Sequence, residues 1–445
     1  MRKPIHRIIF LLFVLAPFTS SAQFIQREAN KYLLEAPQIQ QAHIGISLYD
    51  PDSAKYLFQY QSDHFFTPAS NTKISTCYLA MKYLGDSLLS FRMREVGDTL
   101  FITPAGDPTF LNPLFPEQRF FRYLQQTNKK IELQYNAADE FTPYGSGWTW
   151  DGYQDNYSTE RASMPIFGNL VHFSRSNGNG LPFVVKPKLV ARPPFFSEPL
   201  IQSLGKGDRF DIDRQFEKNL FFLKNSAFAF TGQQIPFKTD NGLTNFLFLR
   251  DTLNRTGDNF FMGAARQFEG YRPVYSQLTD TMLRMMMYES DNHLADQSLL
   301  MVSQKRLGKL HDEALIDLTL KTDFADMPHP PRWTDGSGLS RYNLFTPDDF
   351  IFILQRMKKE FGMRRIAGVF PTGGIGTLKS YYTQIPGKIY AKTGTLSGVV
   401  TLSGFLQAAS GKWLIFSVLV NNHRTSAKVV RDGIQNFLLS VRTQY

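Results

Sequence analysis

The two ends of this chain read as parts of one folded unit, with a long stretch of different character between them. Residues 43–60 hold two β-like runs, HIGISLY and KYLFQYQ, joined by the turn Asp50-Pro51-Asp52-Ser53. They lead into TPASNTKISTCYLAMKYLG, which is helical in period and stops at Gly85. Near the other end stand three consecutive strand-like runs, GKIYAKTGT, VVTLSGFLQA and KWLIFSVLVNN. A last helix follows, SAKVVRDGIQNFLLSVR, with Ala427, Val430, Ile434, Phe437, Leu438 and Val441 on one face. That face predicts packing on a sheet rather than membrane attachment. Between about residues 96 and 270, short strand-like runs (DTLFIT, FGNLVHFS, FVVKPKLVA, SAFAFTG) alternate with Pro, Gly and Asn turns, and helical signal is weak. SQLTDTMLRMMMYESDNHLADQSLLMVSQKRLG then returns to helix. The pattern predicts one discontinuous α/β domain, residues 23–95 and 271–445, interrupted by a β-rich insert over 96–270. QFIQREANKYLL, after the first 22 residues, reads as a short amphipathic helix.

The first segment is expected to be removed. Arg2, Lys3 and Arg7 precede the apolar run Ile8–Ala16, too short to span a bilayer, and Ser20-Ser21-Ala22 fits a small-residue cleavage site. Residues 1–22 thus read as a signal peptide, with a mature chain starting near Gln23 in the periplasm and any membrane contact peripheral. Losing the three cations lowers the net charge from +10 to +7, a moderate basicity suited to a polyanionic envelope surface. No Lys/Arg run or nucleic-acid module stands out, so nucleic acid is not an expected partner. The single cysteine, Cys77, cannot form an intrachain disulfide and reads as a packed thiol. The eight histidines are scattered without H-E-x-x-H, so neither metal nor other cofactor is expected. Nothing in the sequence sets an oligomeric state.

Acyl transfer requires an activated nucleophile, a proton carrier and donors for an oxyanion. In Pro68-Ala69-Ser70-Asn71-Thr72-Lys73, Ser70 and Lys73 are i and i+3 on a helix face, so the amine can reach the hydroxyl. Ser70 falls at the helix start, where free N–H groups and the dipole favour an oxyanion. A lysine that acts as base must be buried or near another cation to lose its proton. S-x-x-K alone is weak, expected by chance roughly once per 200–300 residues. A second instance, Ser203–Lys206, is interrupted by Gly205 and followed by Gly207, which break a helix. Two further signals support Ser70. Ser290-Asp291-Asn292 stands between two helices, where a serine can relay a proton and an asparagine can hold a substrate amide or the lysine. Lys392-Thr393-Gly394-Thr395 lies on an expected edge strand, offering a cation and hydroxyls to a carboxylate, with Gly394 allowing close approach.

S-x-x-K, S-D-N and K-T-G in this order resemble the signature of penicillin-binding proteins and serine β-lactamases. Further stretches resemble one branch, the low-molecular-mass class C penicillin-binding proteins of peptidase family S13. They are AGDPTF at 105–110, GWTWD at 147–151, SDNHLAD at 290–296, DGSGLSRYN at 335–343 and AKTGTLSGV at 391–399. The resemblance covers nearly the whole mature chain and includes a large insert between the serine and S-D-N. It implies a transpeptidase-like α+β fold, with a five-stranded antiparallel sheet flanked by helices. It implies a D-Ala-D-Ala carboxypeptidase or endopeptidase that cleaves peptidoglycan stem peptides through an acyl-enzyme and is acylated by β-lactams. By motif, Ser70 is the nucleophile and Lys73 its base. Ser290 with Lys392 carries the proton to the leaving amine, and Asn292 holds the peptide. Lys392, Thr393 and Thr395 beside Gly394 bind the terminal carboxylate, and the N–H groups of Ser70 and Thr395 form the oxyanion hole. Asp151 is the candidate for the amino group of the substrate's diamino acid, although Gly152 stands where the branch often has a second polar residue. Asp335 and Arg341 have either a functional role or a place in a glycine-bearing turn. The rivals are a serine β-lactamase and a non-catalytic wall-binding scaffold. Glu132 to Asn136 has the E-x-x-x-N spacing of the former but precedes S-D-N, and the latter would be expected to lose Ser70, Lys73 or Lys392.

Overall fold

The computed structural model describes residues 21–176, 188–192, 201–206, 210–225, 232–264 and 269–445. The expected signal peptide lies outside them except for Ser21 and Ala22, which open helix α1 (Ser21–Ala29). Strands β1 (His43–Asp50) and β2 (Lys55–Tyr60) form the expected hairpin, its turn closed by the Asp52 N–H donating to Asp50 Oδ1. Three late strands, β3 (Ile389–Leu396), β4 (Val399–Gln407) and β5 (Trp413–Asn421), complete a five-stranded sheet in the order β3-β4-β5-β1-β2. Every neighbouring pair is antiparallel. β1 is an interior strand between β5 and β2, buried along seven of its eight residues, which is why HIGISLY does not alternate apolar with polar.

Helices cover both faces. On one lie α2 (Lys73–Tyr83), α3 (Thr279–Glu289), α4 (Asn292–Leu307) and α6 (Pro347–Val369), with α5 (Asp312–Lys321) packed on α4. α2 ends before Gly85, which takes a left-handed φ of 73°, and Cys77 is buried within it as a free thiol. On the other face α1 and α7 (Ala427–Gln444) pack together on the sheet. Val430, Ile434, Phe437, Leu438 and Val441 of α7 are buried there, at roughly 1.5–3 kcal/mol each for a full-size side chain. The apolar stripe is thus core. Among the described residues no helix is long and apolar enough to cross a membrane.

The intervening region has its own sheets and apolar core. Its main sheet has five strands in the order 260–263, 130–134, 99–104, 87–96, 272–278. Two three-stranded sheets accompany it. The expected boundaries at 95/96 and 270/271 cut through the main sheet, because strand Ser87–Val96 pairs with Arg272–Leu278. Neither strand is hydrogen-bonded into the β1–β5 sheet, so by sheet membership the exchange falls at 86/87 and 278/279. Among the described residues the region also holds two α-helices, Arg119–Gln126 and Leu243–Thr252, where helical signal is weak. Of the expected strands, SAFAFTG and the first half of FVVKPKLVA lie outside the described residues. Ser203 to Lys206 lies in a strand, Ile201–Lys206, with no helical face to bring the pair together.

Candidate active site

The expected nucleophile stands on a turn clamped from both sides. A short 3-10 helix, Ala69–Thr72, follows Pro68 and runs into α2 at Lys73. Ala69 takes a left-handed φ of 48°, uncommon for a residue with a Cβ. Neighbours hold it there. Thr401 on β4 donates to the Pro68 carbonyl (2.8 Å). The Asn71 amide, oriented to satisfy both ends, donates to the Lys392 carbonyl (2.7 Å) and accepts from the Ser403 hydroxyl (2.7 Å). Gly394 and Gly338 make the clamp possible. A Cβ on Gly394 would lie 2.7 Å from the Pro68 oxygen and 3.0 Å from Ser70 N. One on Gly338 would overlap the Ala69 carbonyl oxygen. The edge strand β3 therefore lies directly against the backbone N–H of Ser70.

Lys73 is fully buried, and its Nζ meets Ser70 Oγ at 3.1 Å, Asn292 Oδ1 at 2.6 Å and the Ser337 carbonyl at 2.7 Å. Three acceptors satisfy an ammonium. The neutral amine has two N–H bonds and one lone pair. Asn292 Oδ1 and the Ser337 carbonyl can only accept, whereas the serine hydroxyl can donate. Loss of one proton thus leaves the lone pair facing Ser70 Oγ, the geometry of a general base. Burial pushes the Lys73 pKa down from the usual lysine range, against the pull of Asp296, Asp335 and Asp291.

A second serine–lysine pair faces the same cleft. Ser290 closes α3 in a left-handed conformation (φ 59°), which turns the chain into α4. Its hydroxyl accepts from Lys392 Nζ at 2.8 Å, and Lys392 also donates to the Thr393 carbonyl at 2.7 Å. Burial, and next the charge on Lys73, hold the Lys392 pKa well below the ordinary range. Ser70, Ser290, Thr393 and Thr395 line one cleft of about 700 Å³, with Lys379, Lys428 and Arg431 on its wall.

Seven expected residues meet here: Ser70, Lys73, Ser290, Asn292, Lys392, Thr393 and Thr395, with Gly394 as the contact between strand and turn. Asp151 is exposed on the turn Trp150–Gly152 and is not among the groups that meet at either lysine. Its segment does reach the site, because Asn292 Nδ2 donates to the Tyr157 carbonyl (2.9 Å). Asp335 is the organiser of a turn. Its carboxylate accepts from the N–H groups of Gly338 (2.8 Å) and Ser340 (2.7 Å), from Asn343 (2.8 Å) and from Trp148 Nε1 (2.9 Å). Arg341 is exposed, 3.4 Å from the Ser397 carbonyl. Sequence reasoning missed Arg431 on α7, which donates to Thr395 Oγ1 at 2.7 Å. It also missed the carbonyls of Ser337 and Tyr157, which no side-chain pattern announces.

The D-Ala-D-Ala carboxypeptidase 3 (S13) family matches this chain over residues 25–179 and 274–441. The D-alanyl-D-alanine carboxypeptidase DacB of Haemophilus influenzae is 29% identical over 420 residues, 86% of this chain and 86% of that protein. Among solved structures, penicillin-binding protein 4 of Haemophilus influenzae superposes with a TM-score of 0.72 at 20% identity, covering 93% of this chain and 97% of that one. A predatory endopeptidase of Bdellovibrio bacteriovorus, in complex with an immunity protein, gives a TM-score of 0.53 at 15% identity over 90% and 93% of the two chains. The two superpositions bear on the fold.

Proposed function

Because this chain belongs to the D-Ala-D-Ala carboxypeptidase 3 (S13) family and is a serine-type hydrolase, we propose that its two serine–lysine pairs divide one acyl transfer on peptidoglycan stem peptides between them. The observation that carries the reading is Lys73, which joins Ser70 to Asn292 with its lone pair available to the serine alone. Ser70 Oγ attacks the carbonyl of the penultimate D-Ala as its proton passes to Lys73. The developing oxyanion sits between the backbone N–H groups of Ser70 and Thr395, in the space that Gly394 leaves open. As the C–N bond breaks, the leaving amine takes the proton of Ser290, and Ser290 Oγ takes one in turn from Lys392 Nζ. Water then attacks the acyl-enzyme, its proton returning through Ser290 to Lys392, while Lys73 gives its proton back to Ser70 Oγ as the product acid leaves. A β-lactam follows the same first step, and its tethered leaving group stays attached.

Lys392, Thr393 and Thr395 hold the carboxylate next to the scissile bond, and Arg431 stands behind Thr395 to complete the charge. Asn292 spans Lys73 and the Tyr157 carbonyl, positioning the peptide between the catalytic sheet and the intervening region. Asp151, exposed on that segment, is the anion for the free amine of the substrate's diamino acid. The catalytic unit comprises residues 23–86 and 279–445, and residues 87–278 form the insert. Residues 1–22 direct export to the periplasm, where stem peptides are accessible.

Intact-mass measurement after incubation with a penicillin tests the central step. One covalent adduct per chain is expected, on the peptide containing Ser70. Product analysis on purified muropeptides should show release of D-Ala, cleavage of cross-linked dimers, or both. An adduct on any other serine, or no turnover of either muropeptide class, would sink the reading.

A further inference from the structure

The backbone carbonyl that holds Lys73 belongs to a residue with a second attachment. Asp296, in the second turn of α4, is 1% exposed. Its Oδ1 accepts from the N–H groups of Gly336 (2.8 Å) and Ser337 (3.0 Å), while the Ser337 carbonyl accepts from Lys73 Nζ (2.7 Å). Gly336 is pinned besides, its carbonyl accepting from Thr76 Oγ1 on α2 (2.7 Å), and a Cβ on it would strike the Ala295 backbone. Asp296 Oδ2 has no hydrogen-bond partner among the described residues. A neutral amide oxygen would serve two N–H groups equally well, and a buried carboxylate with an idle oxygen is costly. The other two acids facing Lys73 are engaged otherwise. Asp335 accepts five hydrogen bonds, four within its turn and one from Trp148. Asp291 caps α4 through the Leu294 N–H (2.8 Å).

We propose that Asp296 is a positioning residue for the acylation step: through Ser337 it aims a carbonyl at Lys73, and its negative charge sets how readily Lys73 releases its proton. The charged groups that face Lys73 are Asp291, Asp296, Asp335 and, from β3, Lys392. Those that face Asp296 are Lys73, Asp335 and Arg161. Burial drives Lys73 toward the amine and Asp296 toward the neutral acid, and each opposes that drive in the other by favouring its charged form. The inference rests on the reading of Ser70 and Lys73 as nucleophile and base. Failure of that reading shows separately, as absence of the Ser70 adduct in the wild type.

The test is the pH profile of the second-order acylation rate with a penicillin. In the wild type the rate rises with pH as Lys73 loses its proton. Asp296→Asn keeps an oxygen for the two N–H groups and removes the charge. Its rising limb should move to lower pH by about one unit, the low end for a close opposite charge. Just below the limb, where Asp296 of the wild type still carries its charge, the variant should then acylate up to about 10-fold faster than wild type at equal plateau. Asp296→Glu keeps the charge and should keep the limb in place while lowering the plateau. An unmoved limb in the asparagine variant, with or without a lower plateau, would make Asp296 a structural residue and overturn the proposal. Should that variant not fold, the reciprocal measurement decides. In Lys73→Met the Asp296 carboxyl, read by ¹³C NMR of aspartate-labelled protein, should titrate at higher pH than in wild type. An unchanged titration overturns the proposal.

Discussion

Ser70–Lys73 and Ser290–Lys392 are the same two side chains at nearly the same distance, 3.1 and 2.8 Å, in opposite settings. The first pair is local, within one turn, and its lysine faces three carboxylates. The second is assembled from residues 102 apart, and the charge that faces its lysine is another lysine. Burial pushes both pKa values down. In the first pair acids oppose that push, and in the second a cation adds to it. The difference teaches that a serine–lysine contact does not define a role. Lys73 is held by acceptors that leave its lone pair to one hydroxyl, which suits proton removal. Lys392 is driven toward the neutral amine, and an anion bound beside it, as in the proposed carboxylate subsite, would favour its charged form and let it support a serine that gives a proton away.

Substitutions can break or sharpen this comparison. Lys73→Arg keeps the charge and cannot supply a free base. Acylation by a penicillin should fall by about 10³-fold, within the range for general base catalysis. Near-normal acylation would remove the distinction between the pairs. Ser290→Ala should lower turnover of a D-Ala-D-Ala peptide by about 10²-fold, mostly in kcat. A loss equal to that of Lys73→Arg, with no further loss in the double variant, would mean that the pairs work as one inseparable unit. Arg431→Gln should reduce kcat/KM on the same peptide by about 10-fold, the value of one charge-assisted hydrogen bond. It should change an amidated peptide little. Equal losses on both substrates would place the carboxylate away from Thr395.

These contrasts also mark what the sequence could disclose. The local pair is legible because i and i+3 share a helix face, so spacing alone joins Ser70 to Lys73. The distant pair has no such geometry. Ser290 and Lys392 came together in the reading through the order of three motifs, and their hydrogen bond depends on the left-handed turn at Ser290. Arg431 was invisible for another reason. On α7 its neighbours Val430 and Ile434 declare the buried face, and nothing in that pattern links an intermediate position to Thr395 on an edge strand. The five strands followed from strand-like runs and their turns, and their joining in one antiparallel sheet from the family resemblance, while the position of the insert followed from neither. SLLSFRMREV carries no proline or glycine to mark a change of unit, and its partner strand lies some 180 residues on. Asp335 illustrates the same limit. Its sequence, DGSGLS, was compatible with a turn or a site, and only the convergence of Gly338, Ser340, Asn343 and Trp148 on one carboxylate assigns the turn.

The pairing of Ser87–Val96 with Arg272–Leu278 has a consequence for how the molecule comes into being. Everything the insert needs for its main sheet and core is contiguous in the chain and is made before the last three strands of the catalytic sheet. The catalytic sheet is different: an interior strand, His43–Asp50, waits for the central one, Trp413–Asn421, close to the last residues synthesised. A chain emerging from a ribosome or threading through a translocation pore can therefore complete the insert while β1, with its seven buried residues, still lacks its neighbour. During that interval β1, paired with β2 on one side only, presents an open apolar edge on the other, a site exposed to aggregation. A closed stem at 87 and 278 shortens the wait in space if not in time. It brings α2 and α3 to one place before the final strands arrive, so that those strands meet a partly assembled helical layer instead of a loose loop of nearly two hundred residues.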